Sequence, residues 1–303
     1  MVDILHRRAG PLVMSIRSDE LLGWYARAER DLPWRDPQVS AWQILVSEFM
    51  LQQTPVARVL PVWTAWVARW PTASATAAAG PGEVLRAWGK LGYPRRAIRL
   101  HECAVVVARD HGDVVPADVE ALLHLPGVGA YTARAVACFA YRQPVPVVDT
   151  NVRRVVARAV HGRAEAAAPA ATRDHADVSA LLPDDAAAPR FSAALMELGA
   201  IVCTARAPRC GQCPLSGCAW RAAGYPASTA PPRRAQRYAG TDRQARGRLL
   251  DVLRGADSPV SRAALDGAWT ADPVQRERAL ASLLADGLVE RTRGGRYALP
   301  GEG

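Results

Sequence analysis

Four cysteines, Cys203, Cys210, Cys213 and Cys218, stand within sixteen residues in the order C-x6-C-x2-C-x4-C. A chain that carries this run must fold its loop around whatever the thiols bind. Four thiolates this close can hold Zn²⁺ or a [4Fe–4S] cluster, and the spacing fits either. A disulfide framework is the poorer account, because clustered cysteines in a reducing compartment bind metal more often than they oxidise. Arg206, Arg209 and Arg221 flank the run and are candidates for meeting phosphates. The other two cysteines, Cys103 and Cys138, sit in apolar helical stretches and read as small buried residues.

The chain has 303 residues, enough for two or three domains with a sizeable core. Half of it is apolar and rich in Ala, which favours helix. Lys and Arg number 38 against 29 Asp and Glu, a formal net charge of +9. Such a surface suits a polyanion, since neutralising phosphates releases counterions; a merely solvated Arg-rich surface is the plainer reading. No apolar stretch approaches the roughly 20 residues that a membrane helix needs. The run Leu12–Ile16 behind His6, Arg7 and Arg8 is too short for a signal peptide. The expectation is a monomer that works in the cytoplasm, associated with the nucleoid, and not at a membrane.

Periodicity and turn signals predict a mostly helical body. A helix over 19–30 takes Asp19 as its N-cap and stops before Pro33. Ser40 and Gln43 form a capping box ahead of a helix over 41–53 that is apolar almost all round and therefore buried. Further helices are expected near 56–69, 81–91, 95–111, 118–124 and 130–141, separated by Gly and Pro. Val152, Val155, Val156, Ala159 and Val160 mark one face of another. Residues 163–190 are Ala-rich with weak periodicity, and a helix over 190–202 leads into the cysteines. A Pro-, Arg- and Gly-rich linker follows. Three helical stretches and two short strands, 287–291 and 296–299, close the chain in the order of a winged helix.

Three features carry chemistry. Pro126-Gly127-Val128-Gly129 joins two helices. Its glycines can take positive φ and expose backbone N–H groups, and the next helix points its N-terminus there, which makes a phosphate site that needs no side chain. An ordinary Gly-capped connector explains the same residues. Asp149 precedes a helix, where Asp is a favoured N-cap; a carboxylate held there stays ionised and can stabilise positive charge in a reaction. Glu48 lies on the apolar helix with Ile44 and Leu51 as neighbours. Desolvation there prepares a carboxyl as a general acid, unless the side chain escapes to solvent at one edge.

Taken with Leu32-Pro33-Trp34-Arg35, the Ser47–Thr54 run, Leu91-Gly92-Tyr93, Leu125–Thr132, Val148–Val155 and Glu197-Leu198-Gly199-Ala200, these features resemble the endonuclease III-like, helix-hairpin-helix DNA glycosylases, most closely their MutY-type adenine branch. The resemblance covers roughly residues 19–226. It implies a mainly α fold: a six-helix barrel domain (37–146) and an iron–sulfur cluster domain (1–36 with 147–226), the active site in the cleft between them. A linker (227–245) and a small winged-helix-like C-terminal domain (246–303) follow. It implies a [4Fe–4S] cluster on Cys203, Cys210, Cys213 and Cys218, and contact of Pro126, Gly127, Val128 and Gly129 with the DNA backbone. By the same resemblance Glu48 protonates adenine and assists the water, Asp149 stabilises the oxocarbenium-like sugar, and Asn151 assists Asp149. Tyr131 stands where bifunctional relatives have a catalytic Lys, so base removal without strand cleavage is implied. Trp34 and Arg35 match the adenine pocket. Gln53 and Tyr93 match duplex wedges, and Thr54 and Leu91 match contacts to the opposite base. The implied partner is double-stranded DNA with adenine mispaired with 8-oxoguanine or guanine.

The chain departs from the family pattern in its last cysteine spacing, x4 instead of x5, and in Thr150, Pro94 and Ala193. The family's C-terminal domain, which resembles a nucleotide pyrophosphohydrolase and reads 8-oxoguanine, is not recognisable; the winged-helix-like tail stands in its place. Its Arg262, Arg276, Arg278, Arg291, Arg293 and Arg296 are candidates for DNA contact, with a packing module as the plainer reading. Two other functions fit the scaffold: a thymine or uracil mismatch glycosylase, and a non-catalytic iron–sulfur protein that binds DNA.

Overall fold

A computed structural model describes residues 16–184, 186–228 and 238–303. The apolar run Leu12–Ile16 lies almost wholly outside these residues, as does the middle of the expected linker. The described elements, in chain order, are α1 (Ser18–Ala28), a 3₁₀ turn (Pro33–Arg35), α2 (Ala41–Leu51), α3 (Val56–Arg69), α4 (Ala73–Ala78), α5 (Pro81–Trp88), α6 (Arg95–Asp110), α7 (Val119–Leu123) and α8 (Ala130–Phe139). Then come α9 (Thr150–Ala159), α10 (Ala171–Ser179), α11 (Ala188–Ile201), a 3₁₀ turn (Cys210–Gln212), α12 (Ala219–Ala222), α13 (Asp242–Arg254), α14 (Arg262–Ala268), α15 (Pro273–Ala285), β1 (Glu290–Arg291) and β2 (Tyr297–Ala298). Among the described residues no helix is long and apolar enough to cross a membrane. Contacts divide the described residues into two units: those within 16–32, 117–120 and 129–228 form the first, and those within 33–116, 121–128 and 238–303 the second.

The first unit is built on the valine face of α9. Val152, Val155, Val156 and Ala159 pack with Leu21 and Tyr25 of α1 and with Phe191, Ala194, Leu195 and Leu198 of α11. Asp19 is not the N-cap expected of it. Arg17 occupies that place, and Asp19 sits in the first turn, where its carboxylate takes two bonds from Arg17 of 3.1 and 2.6 Å. The Ala-rich stretch forms α10, whose start is tied by Asp174 to the Ala170 N–H (3.1 Å) and to Arg153 on α9 (2.8 Å). This tertiary ion pair supplies what weak periodicity does not. Glu197 of α11, 1% exposed, accepts from the Arg30 guanidinium at 2.5 and 3.0 Å and from the Arg30 N–H at 3.2 Å.

In the second unit α2 packs on α3 and α6, and α6 on α4 and α5. The capping box forms as expected: the Gln43 N–H donates to Ser40 Oγ and the Ser40 N–H to Gln43 Oε1. Trp66 meets Trp70 and Trp88 edge-on at 4.8 and 6.2 Å between centroids. α4 was not foreseen, because six residues are too few to show a period. It is held by Thr72 at its N-cap and by Asp113, which accepts from the Ser74 N–H and hydroxyl at 2.7 Å. The C-terminal residues have the expected element order, with Val260 bridging to Tyr297 beside the β1–β2 pair. The strands are shorter than the expected 287–291 and 296–299. The tail clusters with this unit through reciprocal arginines: Arg86 of α5 donates to the Leu253 carbonyl at 3.1 Å and to the Arg254 carbonyl, and Arg254 donates to the Leu85 carbonyl at 3.1 Å.

Arg30→Met should lower unfolding stability by about 2 kcal/mol, the scale of hydrogen bonds to a charged group, since the buried Glu197 carboxylate loses the guanidinium and keeps the backbone N–H of residue 30. Urea titration checks this, and a loss below about 1 kcal/mol would contradict it.

Candidate active site and cluster loop

The candidate residues fall into two groups. Trp34, Arg35, Glu48, Gln53, Thr54, Leu91, Tyr93, Pro126, Gly127 and Val128 belong to the second unit; Gly129, Tyr131, Asp149, Asn151 and the four cysteines belong to the first.

In the second unit Glu48 does not escape to solvent. It is 5% exposed on the buried helix α2, beside Ser47, whose hydroxyl turns back to the Ile44 carbonyl at 2.7 Å. The 3₁₀ turn carrying Trp34 and Arg35 packs on α2, and Trp34 meets Trp63 edge-on at 5.6 Å. Gln53 and Tyr93 are exposed, and both take left-handed backbone conformations, φ 55° and 48°. Thr54 and Leu91 are buried instead, and the Thr54 hydroxyl is committed to the Leu91 carbonyl (3.3 Å).

One residue that sequence reasoning missed organises this corner. Arg96, at the start of α6, donates to the carbonyls of Phe49, Met50 and Gln52 (2.8, 3.0 and 2.6 Å), to the Thr54 hydroxyl (2.9 Å) and to the Gly92 carbonyl (3.1 Å). Carbonyls at the end of a helix have no intrahelical donor, and a guanidinium fork can satisfy several at once. Arg96 thus ties the end of α2 to the Leu91–Tyr93 loop. Burial pushes its pKa down to about 10, which leaves it charged at neutral pH. Nothing in the local sequence separates it from its neighbours Arg95 and Arg99.

The helix hairpin behaves partly as expected. Gly127 takes positive φ (77°), and a Cβ there would lie 2.7 Å from Arg99 Cβ and 2.9 Å from the Phe49 ring. Gly129 does not: it is extended, φ −97°, and stands at the N-cap of α8.

In the first unit Asp149 caps α9. Its Oδ1 accepts from the Val152 N–H at 2.7 Å and its Oδ2 from Asn151 Nδ2 at 2.8 Å. Asn151 Oδ1 in turn accepts from Arg154 (2.8 Å), which also donates to the carbonyls of Gly199 (2.6 Å) and Cys203 (2.7 Å). The cap donors favour the ionised carboxylate, and burial opposes them. Burial outweighs the N–H donors and raises the Asp149 pKa above its ordinary value. Tyr131 packs beside Ala135, Cys138 and Val147.

Cys203, Cys210, Cys213 and Cys218 line one cavity with Leu198, Val202, Leu215, Arg158 and Trp220. Among the described residues no three His, Cys, Asp or Glu side chains converge closely enough to hold a single metal ion. Burial, then neighbouring thiols, raises the Cys213 thiol to about 11 and also raises Cys210. A bound cationic centre relieves that crowding by taking the thiolates as ligands. Arg158, 4% exposed, fits such a centre: it donates to Cys203 Sγ (3.4 Å) and to the carbonyls of Thr204 (2.7 Å) and Ala205 (3.1 Å), with its face on Trp220. Arg221, expected to be available for phosphate, turns back to the carbonyls of Leu215 and Ser216.

A family model for HhH-GPD superfamily base excision DNA repair proteins matches residues 46–176, and one for the iron–sulfur binding domain of endonuclease III matches 203–217. The chain is 74% identical over 288 residues to the adenine DNA glycosylase of Mycobacterium tuberculosis, covering 95% of each. It is 73% identical over 290 residues to that of Mycolicibacterium smegmatis, covering 96% of this chain and 98% of the relative. Among solved structures a thermostable thymine-DNA glycosylase superposes with a TM-score of 0.60 at 27% identity, covering 68% of this chain and 94% of the other. The chain carries the iron–sulfur cluster of this family.

Two helical glycines separate packing from propensity. A Cβ on Gly199 would stand 2.7 Å from Asn151 Cβ and 2.9 Å from the Asn151 carbonyl oxygen, whereas one on Gly23 meets nothing within 4 Å. Gly199→Ala should cost about 1–3 kcal/mol, and Gly23→Ala should gain about 0.5–1 kcal/mol; equal effects in thermal unfolding would refute the close approach. The raised Asp149 pKa also has a sign. Folded protein takes up a proton at Asp149 before unfolded protein does, so as pH falls from 7 to about 3.5 the wild type should gain stability relative to Asp149→Asn. A stability difference that stays flat or moves the other way would contradict it.

Proposed function

The chain belongs to the adenine DNA glycosylases of the HhH-GPD superfamily, and from that premise we propose that it removes adenine mispaired with 8-oxoguanine or guanine, as a monomer, without cutting the strand. The observation that carries the reading is, in the first unit, the Asp149 carboxylate fixed by the Val152 N–H and Asn151 and, in the second, a Glu48 carboxyl withdrawn from bulk water.

The target adenine must leave the stack first, and mispairing lowers that cost. Exposed Gln53 and Tyr93 suit the role of filling the gap. Glu48 donates a proton to N7 of the extruded base. The C1′–N9 bond then breaks with its electron pair on the base, which departs neutral. Asp149 stands against the positive charge that develops on the sugar. Water adds at C1′ and gives up a proton to Glu48, which restores the acid and leaves an abasic site. Tyr131 offers no amine for a Schiff base, which supports hydrolysis without lyase chemistry. The Val128 N–H is held by the Leu125 carbonyl, so the N–H groups of Gly127 and Gly129 are the ones that would bind phosphate, which suits a protein that must scan any sequence. Cys203, Cys210, Cys213 and Cys218, which line one cavity, would hold the [4Fe–4S] cluster, whose bonds to the four thiolates would tie their loop together. Such work places the protein on the chromosome, in the cytoplasm.

Duplexes with single mismatches, incubated with protein and then heated in alkali, test this. Breaks at adenine opposite 8-oxoguanine or guanine should appear only after alkali. Glu48→Gln and Asp149→Asn should each slow excision by roughly a thousandfold while duplex binding survives. Breaks before alkali would overturn the monofunctional assignment, thymine loss would overturn the substrate, and near-normal turnover in either variant would overturn the roles.

A further inference from the structure

The ring of Tyr93, 44% exposed, carries a guanidinium from the C-terminal segment. Arg243, in the first turn of α13, holds its guanidinium carbon 4.8 Å from the Tyr93 centroid and 5.7 Å from that of Tyr238, which is 53% exposed. A Cβ built on Gly92 would come within 3.9 Å of Arg243 Nη2. Arg96 also faces Tyr93, at 5.5 Å, but both of its terminal nitrogens are engaged, by the carbonyls of Phe49, Met50, Gln52 and Gly92 and by the Thr54 hydroxyl. Among the described residues the terminal nitrogens of Arg243 donate no hydrogen bond. The neighbouring Asp242 is taken by Arg278 through two bonds of 2.7 Å and by Gln275 at 2.9 Å. Among the described residues no carboxylate pairs with Arg243.

The placement is built into the unit. Besides the Arg86 and Arg254 exchange, the Gly82 N–H donates to the Pro300 carbonyl at 3.0 Å and Arg86 pairs with Glu302 at 2.6 Å. Meanwhile the tail arginines first considered for DNA are partly committed. Arg276 and Arg262 bond Asp266, and Arg278 bonds Asp242.

We propose that Arg243 is a specificity-determining residue of the glycosylase reaction: beside Tyr93, its guanidinium donates to O6 of the guanine or 8-oxoguanine that stood opposite the excised adenine. This rests on the reading of Tyr93 as a duplex wedge. A guanidinium lying on an aromatic face keeps its in-plane N–H donors available. A ring that enters the stack brings those donors level with base edges. Guanine and 8-oxoguanine present an acceptor at O6, where cytosine presents an amine donor. The tail thus supplies an opposite-base contact of its own.

The test uses the full-length holoprotein and Arg243→Met. Duplexes carry adenine opposite guanine, 8-oxoguanine, cytosine or 2-aminopurine, a purine without O6. Dissociation constants and single-turnover excision rates are measured at several salt concentrations. Wild type should favour guanine over 2-aminopurine, and Arg243→Met should erase about tenfold of that preference with binding to the 2-aminopurine duplex unchanged. Equal weakening on all four duplexes, with a salt slope smaller by about 1, would make Arg243 a phosphate contact and overturn the proposal. No change on any duplex would overturn it as well. If wild type releases adenine from none of them, the glycosylase reading fails, while the binding ratios still judge Arg243 separately. Arg243 is exposed, so the variant's melting temperature should match wild type.

Discussion

Where α11 crosses α9, Gly199 leaves no space for a side chain against Asn151, and the rest of the Asp149 site depends on that approach. Only because the two backbones lie this close can Arg154 reach the carbonyls of Gly199 and Cys203 while also holding Asn151. Asn151 then donates to one Asp149 oxygen while the helix N-terminus donates to the other. The carboxylate is fixed in place by donors yet destabilised by burial. A group in that condition is poised to interact with a positive charge brought next to it.

The second unit solves a different problem, the end of a buried helix. Carbonyls at the C-terminus of α2 would be costly to leave without donors in an apolar setting. Arg96 satisfies three of them through Nη1, and its Nη2 reaches Gly92 in the loop that carries Tyr93. Gln53 and Tyr93, both in left-handed backbone, therefore project from a corner held by one half-buried cation. The same corner receives Arg243 from α13. The mycobacterial relatives match over 95% and 96% of this chain, too much to leave the tail out. The tail is thus shared with these relatives, and in this chain it is tied to α5 through arginine–carbonyl bonds.

The sequence by itself determined the helical body, the capping box at Ser40 and Gln43, the buried face of α9, the burial of α2 and the four-cysteine loop. Each is written in local spacing, because a helix period or a ligand run lies within a few turns of chain. Asp149 and Glu48 were legible for the same reason: one precedes a helix, and the other interrupts an apolar one. What only the tertiary structure decided is how remote groups meet. The Arg96 clamp, the Arg154 bonds to the Gly199 and Cys203 carbonyls and the Arg158 contact with Cys203 each join residues distant in sequence. The balance at Asp149 could not be read locally either. Its cap donors are a sequence property, but the burial that outweighs them comes from neighbouring segments. The docking of the tail on α5 is set by single arginines reaching carbonyls, and carbonyls are present at every residue, so no pattern in the sequence marks which will be used.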